Sequence, residues 1–432
     1  TKMSQSSGHM ASRLDWWSVG LYALFVLLGW MSVYSAVYNP EAPLSLFDPA
    51  FYTSNAGKQL IWIGASMVLI MFIFALDYRF FESFAPAIYG LFILLLILVP
   101  FLGVTINGSH SWFKIGTATI QPAEFAKTAT ALLIAKYLND PQVSLARFRD
   151  QWKVALIIGL PIVLIVASNE TGSALVYVSF IILLYREGLP GEYPGLLLGG
   201  IFLFVSALIL KPLTIFIVLL ILAGLLILAM PIYLQRMYQT YVKAALGITV
   251  VMTLALLVEW VVNHVLKEHQ RNRIKVLLDP DFDPRGLGYQ VTQSKIAIGS
   301  GGFWGKGYLG GTQTKFDFVP EQSTDFIFCT IGEEFGFIGV AGIIILFLVF
   351  LWRLMYLADL QRSRFARAYG YGVVGVLFFH FLVNIGMTIG LMPIMGIPLP
   401  FFSYGGSSLW SFTILLFIFL KLDSHRSDML SR

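Results

Sequence analysis

Asp325 closes a polar, glycine-rich stretch that runs from Arg271 to Glu334 through an otherwise hydrophobic chain. A carboxylate at the boundary of an apolar helix can take a proton from a substrate hydroxyl, and an acid so placed is a functional candidate by default. Ser323-Thr324-Asp325 ahead of an apolar run is equally a helix-start signature, with Ser323 or Thr324 as cap and Asp325 in the first turn. The pattern supports both readings. Eight Lys and Arg, among them Arg271, Arg273, Lys295 and Lys306, share residues 264–334 with nine acids. Several of these cations suit an anionic lipid head group; the same mixture also describes ordinary solvated surface.

Lys306 ends Gly299-Ser-Gly-Gly-Phe-Trp-Gly-Lys, which resembles a nucleotide phosphate loop only superficially, because Gly307 follows where Ser or Thr is required. Glycines still let backbone N–H groups approach an anion. Lys306 therefore reads as a pyrophosphate contact or as a solvated turn residue. The alternating acids of Asp279-Pro-Asp-Phe-Asp-Pro lack the glycine and the bidentate glutamate of a calcium loop, and read as a connector.

Gln121-Pro-Ala-Glu-Phe-Ala-Lys127 opens another apolar run. Glu124 and Lys127, at i and i+3, share a face and can pair, either as a structural bridge or as the lining of a substrate cavity. Glu170 and Glu259 suit helix interfaces. His380 and Asn384, at i and i+4, read as interhelical hydrogen-bond glue, since no acid is spaced to work with them. The turn Pro393–Ser407, with Thr324 upstream and Ser403 within, is too rich in Pro and Gly for a plain connector; irregular backbone at bilayer depth must pack in protein or line a cavity.

The elements that must position these residues follow from composition. With 57% apolar and 12% charged residues, the chain lies outside soluble-domain usage. Apolar runs near the ~20 residues of a bilayer span number twelve: about 15–37, 58–77, 85–104, 122–139, 153–168, 172–186, 195–211, 213–231, 242–263, 335–356, 368–391 and 405–422. The fold class is an all-α polytopic membrane protein of ten to twelve spans, with a large outer loop before the last three. Residues 1–12 read as an unstructured tail added for expression, and 13–432 as a single membrane domain. The first run is too long for a cleavable signal and no cleavage site follows it. Cys329 is the sole cysteine, so no internal disulfide exists.

Short inner segments carry fifteen Lys or Arg, whereas short outer loops carry only Lys58, Lys114 and Lys211. The positive-inside rule then places both termini in the cytoplasm and 264–334 outside. The net charge of +5 is mostly this inner collar, a bilayer-surface feature rather than a nucleic-acid footprint.

Taken together, Gln121–Lys127, Gly288–Gly302, Thr324–Phe328, Gly332-Glu-Glu334 and Gly396–Gly406 resemble the SEDS family (shape, elongation, division and sporulation proteins) over nearly the whole chain. Gln293–Gly299 and Lys306–Gln313 resemble its RodA-like branch more than its FtsW-like one. The resemblance implies a peptidoglycan glycosyltransferase that polymerises lipid II at the outer face of the bacterial cytoplasmic membrane, serving elongation, beside a class B penicillin-binding protein. It places the family's essential aspartate at Asp325 and its glutamate–lysine pair at Glu124 and Lys127. An additional helix pair is expected within 187–263. Ser111 and Asn169-Glu170 depart from the family's arginine and Pro-Asp, so no role is carried to them.

The chemistry so implied is an inverting displacement at the MurNAc anomeric carbon by a GlcNAc 4-hydroxyl, with Asp325 as base. Outer-loop Lys and Arg, or a divalent cation such as Mg or Mn, would meet the leaving pyrophosphate. A lipid II flippase and a non-catalytic scaffold activating a penicillin-binding protein are the alternatives. A flippase predicts repeated halves and a midplane site; no repeat is evident and the polar chemistry lies on one side.

Overall fold

The computed structural model describes residues 13–426 except 39–47, 107–108, 117, 211, 232–237, 285 and 317. The expected tail, 1–12, lies outside the described residues, as do Lys211, Arg236 and Arg285. Among the described residues ten helices are long and apolar enough to cross a membrane: α1 (Trp16–Ala36), α2 (Asn55–Ala75), α3 (Tyr78–Leu102), α5 (Phe148–Ala167), α7 (Glu192–Ile209), α8 (Pro212–Ala229), α9 (Tyr238–His264), α12 (Ile327–Asp359), α13 (Arg364–Thr388) and α14 (Gly406–Ser424). The remaining two of the twelve apolar runs are also helical. One is α4 (Pro122–Asn139), made less apolar by its Glu and Lys, and the other is the shorter α6 (Thr171–Arg186), which tightens to a 3-10 turn at Val176–Ser179. The chain is a polytopic α-helical membrane protein.

Helix starts obey local chemistry. The Asp15, Ser54 and Asp77 side chains accept N–H bonds at the heads of α1, α2 and α3, and Pro122 opens α4, where a missing N–H costs nothing. Two features depart from the sequence reading. Residues 104–120 form a three-stranded antiparallel sheet, β1 (Val104–Ile106), β2 (Ser109–Ile115) and β3 (Ala118–Ile120), with Thr105 opposite His110 and Lys114 opposite Thr119. And α12 begins at Ile327, with Phe326 at its N-cap, so neither Ser323 nor Thr324 caps it and Asp325 precedes the first turn.

The chain divides into two compact units, 190–288 and the remainder. In the larger unit, α13 and α14 are the most buried spans, and α13 contacts α4, α6, α12 and α14. The Ala- and Thr-rich α4 is largely buried as well, its small side chains letting neighbours approach. Phe25, Phe347, Phe350, Phe401 and Phe402 form a stacked aromatic core between α1, α12 and the last turn. Phe401 holds a left-handed φ of 66°, a strained conformation for a bulky residue that this packing maintains.

The smaller unit contains α7, α8 and α9, which pack on one another, and α10 (Glu268–Leu278). Its three spans bury few side chains: none in α7, Ile215 in α8, and Ala255 and Val262 in α9. As the prolines and glycines predict, the described residues between α10 and Leu287 form a connector, where Asp279 accepts the Asp281 N–H and Asp283 those of Gly286 and Leu287.

Candidate functional site

Four polar segments meet around Asp325. The chain enters through a turn at 321–326, where Glu321 has φ 54° and the Thr324 hydroxyl donates to the Glu321 carbonyl and carboxylate. Ser323 accepts from Asn55 on α2, and its carbonyl accepts from the Tyr404 N–H. The Asp325 carbonyl accepts from Asn384 Nδ2 at 2.8 Å. Its carboxylate faces Gly396 of the last turn; an added methyl there would lie 3.3 Å from Oδ2. Asp325 is half-buried at a junction of segments, which is an unusual place for an acid that only decorates a helix end.

The last turn is built as the sequence implied, for packing rather than connection. Ser403 closes it: its hydroxyl accepts from the Leu399 N–H at 2.8 Å and its own N–H donates to the Leu399 carbonyl at 3.1 Å. Asn384 donates a second bond, 2.8 Å, to the Ile397 carbonyl, and His380 Nδ1 lies 3.2 Å from the Pro398 carbonyl.

Glu124 and Lys127 are both buried and pair at 2.9 Å, while Lys127 Nζ also lies 2.9 Å from His380 Nε2. His380 and Asn384 are the glue the sequence suggested. The spacing argument that no acid works with them fails, because Lys127 brings Glu124 to His380 from another helix. Proximity in sequence could not reveal this; the signal available was two polar i, i+4 residues on a helix otherwise buried among apolar neighbours.

Beside Glu124 lies a second carboxyl. Glu170 accepts from Gln121 and Ser173, and its Oε2 is buried without a partner among the described residues. Burial pushes the Glu170 carboxyl above its ordinary range, and the Glu124 charge adds to this against the opposing bonds from Ser173, Gln121 and Ser111. Ser111 and Glu170, two positions that depart from the family pattern, are therefore neighbours in space.

The cations fall in different places. Lys295 is exposed on α11 (Leu287–Ser300) and packs over Gly390, whose φ is 75°, at the end of α13. Lys306 has a partner that neither of its sequence readings named. It donates to Glu333 at 2.7 Å and to the Thr312 hydroxyl at 2.8 Å, so it serves as the counter-ion of a buried acid. Glu333 also accepts the N–H groups of Thr312, Gln313 and Thr314. The loop thus cradles an anion, but that anion is the protein's own. Arg271 and Arg273 are on α10 of the smaller unit, where Arg271 donates to the Asn263 carbonyl.

The glycines before Lys306 serve α12. At Gly336 (φ 60°, ψ −158°) that helix breaks. Its freed Glu333 and Glu334 carbonyls accept from the N–H groups of Lys306 and Gly307, while the Phe337 N–H donates to the Gly302 carbonyl. A methyl on Gly301 would stand 2.0 Å from the Gly332 carbonyl oxygen, and one on Gly305 2.1 Å from that of Glu334. Close backbone approach accounts for Gly301 and Gly305.

Among the described residues no three His, Cys, Asp or Glu side chains assemble into a metal cage. Within those residues Mg2+ or Mn2+ would meet fewer than three such side chains. Chemically, the site offers a half-buried carboxylate at the entrance of a helix, held by a polar clamp that reaches a buried cation.

The family model described as "Cell cycle protein", covering FtsW, RodA and SpoVE, matches residues 15–220 and 196–428. The peptidoglycan glycosyltransferase RodA of Treponema pallidum (strain Nichols) is 33% identical over 423 residues, covering 92% of this chain and 95% of that protein. The peptidoglycan glycosyltransferase MrdB of Escherichia coli (strain K12) is 31% identical over 372 residues, covering 86% and 85%. A solved chain from a peptidoglycan synthase complex that coordinates polymerization and crosslinking superposes with a TM-score of 0.69 at 31% identity, covering 96% of this chain and 98% of that one.

Proposed function

The chain belongs to the FtsW/RodA/SpoVE cell cycle family and is a peptidoglycan glycosyltransferase, and from that premise we propose that it polymerises lipid II with Asp325 as general base. The observation that carries this reading is the seat of Asp325, a half-buried acid where the 321–326 turn meets the last turn. A sugar hydroxyl is a weak nucleophile, and a carboxylate within hydrogen-bond reach removes its proton as the new bond forms. The GlcNAc 4-oxygen attacks the MurNAc anomeric carbon, the bond to undecaprenyl pyrophosphate breaks, and the pyrophosphate leaves with the bonding pair. An α-linked donor gives a β-linked glycan in one displacement. We assign exposed Lys295, in the larger unit, to support charge on the departing pyrophosphate.

The reading includes an orientation and a partner. Both termini face the cytoplasm and 264–334 faces outward, on the strength of the Lys and Arg asymmetry. A class B penicillin-binding protein is the proposed transpeptidase partner in cell elongation, in keeping with the synthase complex whose chain this one resembles.

The test is polymerisation of purified lipid II by the detergent-solubilised protein, with and without the transpeptidase, comparing wild type with Asp325→Asn. Glycan strands from wild type and none from the variant are expected. Equal polymer from both overturns the general-base assignment. Lipid II translocation in vesicles without any polymer would replace the reading with a flippase, and a chelator arm reports any requirement for a divalent cation.

A further inference from the structure

His380 and Asn384 lie one turn apart on α13, both completely buried. Each of their hydrogen bonds can run in only one direction. Asn384 Nδ2 meets two carbonyl oxygens, those of Asp325 and Ile397, both at 2.8 Å; a flipped amide would set oxygen against oxygen twice. His380 Nδ1 meets the Pro398 carbonyl at 3.2 Å and must carry its hydrogen. The other ring nitrogen, Nε2, is then the acceptor for Lys127 Nζ at 2.9 Å, and Lys127 also donates to Glu124. The tautomer is assigned from these partners.

The bonds hold the backbone of the two segments that meet at the Asp325 carboxylate. Asn384 holds the Asp325 backbone, while Asn384 and His380 together hold Ile397 and Pro398, next to the Gly396 that faces Asp325 Oδ2. We propose that His380 and Asn384 are positioning residues for glycan polymerisation, clamping Asp325 to the last turn, with the Glu124–Lys127 pair fixing the imidazole. The proposal rests on the general-base reading of Asp325. Neither residue touches substrate. The clamp acts by keeping the carboxylate within reach of the acceptor hydroxyl, and a misplacement of about 1 Å costs on the order of a hundredfold in rate.

Substitutions at His380 separate a clamp from a proton relay. In His380→Asn the amide nitrogen stands where Nδ1 stood and keeps the bond to Pro398, while the contact with Lys127 is lost. His380→Gln keeps an acceptor for Lys127 and loses the bond to Pro398. Asn384→Asp replaces the donor by an acceptor against two carbonyls. Steady-state polymerisation of lipid II, with thermal unfolding of each purified variant, gives the readout. Expected are a roughly hundredfold fall in kcat at nearly unchanged KM for Asn384→Asp and His380→Gln, and a loss of only a few-fold for His380→Asn. Wild-type kcat in folded Asn384→Asp, an effect confined to KM, or equal losses in the two His380 variants overturns the clamp. If Asn384→Asp does not fold, the His380 pair alone decides. Activity surviving in Asp325→Asn overturns the base assignment, a result read in that variant and independent of the other three.

Discussion

Replacing Glu333 by Gln tests the claim that the glycine loop folds around a carboxylate. In the wild type, Glu333 Oε1 accepts from Lys306 Nζ at 2.7 Å, Thr312 N at 2.7 Å and Gln313 N at 2.9 Å, and Oε2 accepts from Thr314 N at 3.0 Å. A glutamine supplies one oxygen. With that oxygen in the Oε1 position, its NH2 group confronts the Thr314 N–H, orphaning a buried donor at about 1–3 kcal/mol. The three remaining bonds lose the assistance of a formal charge, and such bonds are roughly twice as strong as neutral ones. Together these put the cost near 4 kcal/mol, or about a thousandfold at 1.4 kcal/mol per decade. Local opening of the loop sets exchange of the Thr312, Gln313 and Thr314 amides, so hydrogen exchange in detergent or nanodiscs should accelerate by that factor, up to the limit of global unfolding. Lys306→Met removes a cation that is 26% exposed and leaves Glu333 its three backbone N–H donors, so it should cost less, about 1 kcal/mol or roughly fivefold. The same three amides exchanging at wild-type rates in Glu333→Gln, or the lysine variant exceeding the glutamate variant, would refute the anion-cradle account.

Three other outcomes follow from the geometry. Lys127→Met leaves the buried Glu124 without its partner and should destabilise the fold by about 3–5 kcal/mol, part of which returns in the double variant with Glu124→Gln; thermal unfolding that shows no recovery contradicts this. Burial raises the folded-state pKa of Glu170 above its unfolded value, so its contribution is fully present below the ordinary carboxylate range of about 4.3 and is lost as pH rises through the folded value. Glu170→Gln should therefore gain on wild type in Tm as pH rises above that range, whereas parallel Tm curves would count against a raised pKa. Gly305→Ala meets both a φ of 81° and a carbonyl 2.1 Å away, and should lose folded protein and gain protease cleavage near 299–311; a wild-type yield and digest would show that the loop yields there.

Spans were legible because apolar length is a one-dimensional property. All twelve runs became helices, and α4 and α6 were the hard ones because one mixes acid and lysine into its first turns and the other is short. The Glu124–Lys127 pair was legible because i, i+3 spacing is local. What sequence could not supply were the partners that chain topology delivers from far away. Lys127 meets His380 across 253 positions, and Asn384 reaches the carbonyl of Asp325 across 59. The glycine loop was ambiguous for a physical reason. Glycines that admit a phosphate and glycines that admit a helix carbonyl have the same requirement, the absence of a Cβ, and only the neighbour tells them apart. The start of α12 was misplaced similarly: Ser323 and Thr324 look like caps, but their hydroxyls are engaged by Asn55 and Glu321.

The break at Gly336 also bears on biogenesis. As one unbroken rod, the 33 residues of α12 would measure about 50 Å, well beyond the ~30 Å of bilayer hydrocarbon. The break shortens the effective span, but only once the groups it frees find partners, and those are on residues 302–307. That segment leaves the ribosome first and waits; the helix arrives later as its template. Insertion of α12 and folding of the loop are therefore one event, so a defect in the loop should surface as a membrane segment of the wrong length, visible to the quality-control proteases that survey newly inserted proteins.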